Sequence, residues 1–127
     1  MSYSLLNLSS SPNGAPIQIT ATGACTLTGA VPPLVTGQIL HSGINSTIQF
    51  DEVFLYATNR HGTGVPLVLQ WGTAASFGYT IQSTIAPNDG FTLVSPGLII
   101  NSGSIVYAYS NNANGPISVM GYVQRGP

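Results

Sequence analysis

The sequence predicts an all-β protein: an antiparallel β-sandwich of eight or nine short strands with jelly-roll-like connections. Three observations point there. Apolar residues recur with a period of two along nearly the whole chain, as strands require. Clusters of Gly, Pro, Asn, Asp and Ser interrupt that pattern at short intervals. No window of about 11 residues carries a convincing helical stripe. An immunoglobulin-like sandwich is the alternative topology, although the lone Cys25 excludes the inter-sheet cysteine pair of a true member.

The elements follow in order. Residues 1–15 read as an N-terminal arm and residues 16–127 as the sandwich domain. The arm is Ser-rich, and its apolar cluster is Tyr3, Leu5, Leu6 and Leu8. Free termini stay disordered unless tied down, so these four side chains are expected to pack on the protein's own sheet edge or on a neighbouring chain. Ser11-Pro12-Asn13-Gly14 is a turn, after which Ile17, Ile19 and Ala21 alternate with Gln18, Thr20 and Thr22. Pro32-Pro33 ends a second strand, and His41 ends another just before Ser42-Gly43. From Thr47 to Asn59, Ile48, Phe50, Phe54 and Tyr56 share one face, while Val53, Leu55 and Ala57 share the other. That segment is expected to be a central strand buried on both faces.

Arg60-His61-Gly62-Thr63-Gly64 reads as a hairpin loop. Val65, Leu67, Leu69 and Trp71 line one face of the next strand, followed by Ile81, Ser83 and Ile85. In Pro87-Asn88-Asp89-Gly90, proline fixes φ and the other three tolerate the left-handed region. Phe91, Leu93 and Ser95 are in phase, and Asn101-Ser102-Gly103 turns the chain. Ile105, Tyr107 and Tyr109 alternate before the turn at residues 111–116. The last strand carries Ile117, Val119, Gly121 and Val123 on one side. Ser118, Met120, Tyr122 and Gln124 lie on the other.

Charge narrows the function classes. The 127 residues hold five formally charged side chains, Asp51, Glu52, Arg60, Asp89 and Arg125, with no lysine and a net charge of −1. Ordinary domains devote roughly a quarter of their residues to charge; here the share is 4%. A surface near zero charge promotes association. Nucleic-acid binding lacks its electrostatic source. No apolar run approaches the roughly 18 residues of a spanning helix. Met1 to Ser11 lacks the charged and apolar regions of a signal peptide, so synthesis in a cytoplasm is expected. Cys25 reads as a small buried hydrophobe, and the patterns at Asn7 and Asn45 read as chance glycosylation matches without a secretion signal.

Catalytic and metal-binding residues are expected to be absent, and no cofactor is expected. Asp51 and Glu52 are strand neighbours, which point to opposite faces and cannot share a site as glycosidase carboxylates do. A buried carboxylate needs a partner, so Asp51, Glu52, Arg60 and Arg125 are ion-pair candidates. His61 reads as a solvated loop residue. Neither His61 nor His41 has a metal-ligand spacing. A Ser-His-Asp arrangement stays open, because geometry and not order defines a triad, but the Gly-x-Ser-x-Gly elbow is missing. Trp71, in phase with Leu67 and Leu69, reads as core rather than as a sugar platform. Tyr107, Tyr109 and Tyr122 are interface candidates, with large area and a polar tip.

The run Phe50-Asp51-Glu52-Val53-Phe54-Leu55-Tyr56-Ala57-Thr58-Asn59 resembles a recurrent piece of small structural proteins of tailed bacteriophages. So do Leu67-Val68-Leu69-Gln70-Trp71-Gly72, followed by Thr84-Ile85, then Leu93-Val94-Ser95-Pro96-Gly97-Leu98-Ile99-Ile100, and the ending Ile117 to Arg125. Together they span most of residues 47–125, whereas residues 1–46 carry little of the likeness. The pattern is similar to capsid decoration, or cement, proteins. The resemblance implies a non-enzymatic virion protein on the capsid exterior, made in the host cytoplasm. It further implies a homo-oligomer, commonly a trimer, that binds the major capsid protein and stabilises the shell. It transfers no site residues. The alternative is a carbohydrate- or receptor-binding sandwich of a phage fibre or tail.

Overall fold

The period-two pattern becomes nine strands and no helix in the described part of the computed structural model. The structure describes residues 3–23, 37–73, 76–87, 90–112 and 114–126, except the side chains of residues 73 and 76–78. The readings of Cys25, Pro32-Pro33, Asn88 and Asp89 lie outside those residues. The strands are β1 (Ser4–Asn7), β2 (Ile17–Gln18), β3 (Gln38–Ser42), β4 (Asp51–Asn59) and β5 (Val65–Thr73). They continue with β6 (Ser76–Ile85), β7 (Thr92–Ile100), β8 (Ile105–Ser110) and β9 (Ile117–Arg125).

All pairings are antiparallel. One sheet runs β1-β9-β4-β7, with β2 also on β9, and the other runs β3-β8-β5-β6. From β2 onward, the β5–β6 step alone stays within a sheet, and every other step crosses between them. This interleaving is the jelly-roll arrangement of a two-sheet sandwich.

Alternation decides which residues meet between the sheets. In β4, Asp51, Val53, Leu55, Ala57 and Asn59 are buried, and the residues between them are half-exposed. Ile117, Val119 and Val123 of β9 join them, with Val65, Leu67 and Leu69 of β5 and Val106 and Ala108 of β8 from the opposite sheet. Leu8, Ile19 and Leu40 complete one cluster. Gly121 is required inside β9: a Cβ there would sit 1.9 Å from the Phe54 carbonyl oxygen, far inside contact distance.

Several expectations are corrected. β4 is central in its sheet, yet it is buried on one face only, because Glu52, Phe54, Tyr56 and Thr58 point away from the opposing sheet. Residues 60–64 are not a hairpin loop but an arch between sheets, since β4 and β5 belong to different ones. The Asn59 amide closes that arch by donating to the Thr63 and Ile85 carbonyls at 2.9 and 2.7 Å. Phe91 and Leu93 are exposed although Ser95 is buried. The register of β7 against β4 shifts twice; each shift is a bulge that resets which side chains face inward. Gly97, at φ 112, lies at one of them.

Candidate functional site

Asp51 opens β4 in phase with Val53 and Leu55, so alternation aims a carboxylate at the core. It is 0% exposed. The β4–β9 register sets Arg125 directly opposite. Arg125 donates from Nε to Oδ1 at 2.7 Å and from Nη2 to Oδ2 at 3.0 Å, the bidentate fork that suits guanidinium to carboxylate. His41, 2% exposed on β3 of the opposite sheet, places Nε2 at 2.8 Å from Oδ2. The Ile44 amide donates to the same oxygen at 3.2 Å.

The other His41 nitrogen defines the tautomer. The Ser9 backbone N–H donates to Nδ1 at 3.1 Å, so the ring proton is on Nε2 and is donated to Asp51. Ser9 Oγ accepts from the Ser42 amide at 2.7 Å, and the Ser10 amide donates to the Leu40 carbonyl at 3.3 Å. The knot therefore ties the N-terminal segment, β3, β4 and β9 together at one end of the sandwich. Burial alone raises the Asp51 pKa, but the hydrogen bonds from Arg125 and His41 outweigh it and hold the carboxyl below its ordinary 3.8. The hydrogen bond to Asp51 in turn raises Arg125 above its usual value.

Serine, histidine and aspartate thus come together, but not as a nucleophilic triad. A triad histidine turns one nitrogen to the acid and the other to the hydroxyl it deprotonates. Here that second nitrogen is occupied by an amide N–H, and the acid is already matched by a guanidinium. No buried side-chain nitrogen or oxygen among the described residues lacks a partner. The arrangement is suited to locking register and closing the sandwich. Among the described residues, no group of three or more His, Cys, Asp or Glu could hold a metal ion.

The remaining candidates scatter. Glu52 is half-exposed on the opposite face of β4 from Asp51. Arg60 donates to the Gly115 carbonyl at 3.1 Å. His61 is exposed, with Nδ1 at 3.0 Å from Thr63 Oγ1. Leu8 and Tyr107 are withdrawn as interface candidates: both are buried within the protomer. Leu8 enters the core because β1 adds to the edge of β9, the first of the two alternatives open for the arm. Tyr107 sits opposite Gln70 at the centre of its sheet. Leu6 packs partly against the core. Tyr3 is exposed and meets Phe50 edge-on at 6.3 Å, while Leu5 is exposed and Tyr109 and Tyr122 are half-exposed.

The outer face of the β1-β9-β4-β7 sheet gathers apolar residues that the sequence reading did not assign together. Phe54 and Tyr122 stack at 4.8 Å with 14° between planes. Tyr56, Met120 and Phe91 line an apolar groove of about 290 Å³ beside them. Leu93 and Ile99, opposite Tyr56 and Glu52, are exposed at the β7 edge. Their signal in the sequence was the second, outward phase of β4 and β9. The bulges of β7 hid the rest. Comparison of the chain with protein-family models, with curated proteins and with solved structures finds no match.

Proposed function

We propose that this chain is a non-enzymatic structural protein of a phage virion that binds the outside of the capsid and stabilises it. Its partners are the major capsid protein and further copies of itself, as a trimer. The observation that carries this reading is the outer face of the β1-β9-β4-β7 sheet. Leu5, Phe54, Tyr56, Leu93, Ile99 and Tyr122 share it, and within its strands Glu52 is the one formally charged side chain turned that way. Interface centres are depleted in charge and rich in aromatics, and exposed apolar patches of this kind mark interaction surfaces. The resemblance of residues 47–125 to decoration proteins supports the same reading.

The energetics fit a lattice binder. Many copies held by multivalent contacts need shape and apolar complementarity more than charge. A ligand that binds assembled shell better than loose subunits stabilises the shell by mass action. Light scattering after size exclusion, with co-sedimentation on undecorated capsids, tests the proposal. A trimer that pellets with capsids is expected. Phe54→Asp, on the outer face, is expected to weaken capsid binding about 30-fold, the effect of losing a hot spot worth about 2 kcal/mol. A protein that stays monomeric and leaves the capsids bare refutes it.

A further inference from the structure

A second site lies at the sandwich edge where β6 and β7 are the outermost strands of their sheets. Trp71 of β5 and Tyr79 of β6 are direct cross-strand partners. Their rings stack at 5.8 Å with 21° between planes. Trp71 packs partly against the core cluster, which fixes it, while Tyr79 is 61% exposed. Ile99, Ile100, Asn101 and Ser104 form the facing wall of a cleft of about 330 Å³. That is the low end of the roughly 300–1,000 Å³ of small-ligand sites.

The facing wall is held by backbone hydrogen bonds. The turn after β7 is closed by its own backbone, the Ser104 amide donating to the Asn101 carbonyl at 3.0 Å. Ser102 and Gly103 take the left-handed conformation at φ 53 and 76. The Gly43 amide donates to the Ser104 carbonyl at 2.8 Å. Gly43 has no room for a side chain, because a Cβ would lie 2.7 Å from both Ile100 and that carbonyl. Asn101 is thus not needed to cap its own turn. Among the described residues, no hydrogen bond engages its side-chain amide, the Ser104 hydroxyl or the Trp71 indole N–H.

We propose that this cleft binds a neutral carbohydrate, one pyranose ring packing against the stacked Tyr79–Trp71 pair. The apolar C–H face of a sugar suits an aromatic surface, and its hydroxyls suit the Asn101 amide and Ser104 hydroxyl on the opposite wall. The lining carries no formal charge, so phosphate and carboxylate ligands find no counter-ion there. Two rings stacked on each other do not make the aromatic cage that recognises a quaternary ammonium. The inference stands apart from the capsid reading, since the cleft and the outer sheet face use different aromatic residues.

Trp71 is the sole tryptophan, so its fluorescence reports on the cleft directly. The probes are glucose, galactose, mannose, N-acetylglucosamine, maltose and lactose, with sialic acid and choline as charged controls. A saturable change in Trp71 emission is expected for at least one neutral sugar, with a Kd on the order of 1 mM. Tyr79→Ala and Asn101→Ala are each expected to weaken that binding about tenfold without moving the melting temperature. Phe54→Asp is expected to leave it unchanged. Silence of every neutral sugar to about 100 mM overturns the proposal. So does response to choline or sialic acid in place of neutral sugars, or binding that survives both cleft substitutions. None of those outcomes bears on capsid binding.

Discussion

Asp51→Asn changes one buried oxygen to an amide and keeps the shape of the side chain. Asp51 accepts four hydrogen bonds, two from Arg125, one from His41 and one from the Ile44 amide. An asparagine NH₂ in place of either oxygen faces at least one of those donors, so no amide orientation restores the set. The charge of Arg125 also loses its partner. Breaking a buried pair from one side costs about 3–5 kcal/mol. The Arg125 side chain is 31% exposed and recovers some hydration, which places the cost near the lower bound, about 3 kcal/mol. At about 2.1 cal/mol/K per residue, the unfolding entropy of 127 residues is about 0.27 kcal/mol/K, so the melting temperature falls by about 11 °C. Thermal unfolding followed by circular dichroism measures it. Asp51→Asn combined with Arg125→Met is expected to destabilise by less than the sum of the two single changes, with a coupling of at least about 1 kcal/mol. A drop below about 4 °C for Asp51→Asn, or strict additivity in the double variant, refutes the assignment of Asp51 as the buried anchor of the knot.

Two further outcomes follow from the same geometry. The Asp51 carboxyl is held below its ordinary 3.8 in the folded protein, so its stabilising contribution is complete above that value and is lost as pH falls through the lower native one. The melting temperature is therefore expected to fall in the acid range below about pH 4, with a smaller acid fall in Asp51→Asn. Gly121→Ala places a methyl 1.9 Å from the Phe54 carbonyl and forces β9 away from β4. A loss of about 3 kcal/mol or more is expected in urea unfolding, and a wild-type midpoint excludes the close approach.

The strands were legible because alternation is local. Ile117, Val119 and Val123 announce a core-facing phase by spacing alone, and the structure buries all three. The site was legible only in its composition. Asp51, placed on an apolar strand, called for a cation, but two arginines were available and nothing nearby in sequence distinguished them. His41 and Ser9 lie 10 and 42 residues before Asp51 and carry no spacing motif, because their meeting depends on β3, β4 and the segment after β1 coming together in the fold.

Composition and periodicity were enough for a charge-poor, all-β, two-layered chain with one face of each strand turned inward. They were silent on register. Which arginine meets Asp51 follows from β9 lying beside β4 with Arg125 opposite it. One of the two bulges in β7, between Leu93 and Ser95, turns the first outward and the second inward, and the β1–β9 pairing draws Leu8 into the core. Period-two alternation tells which residues share a face. The partner strand and the sheet it joins depend on hydrogen bonds and packing between residues tens of positions apart, and those exist only once the chain has folded.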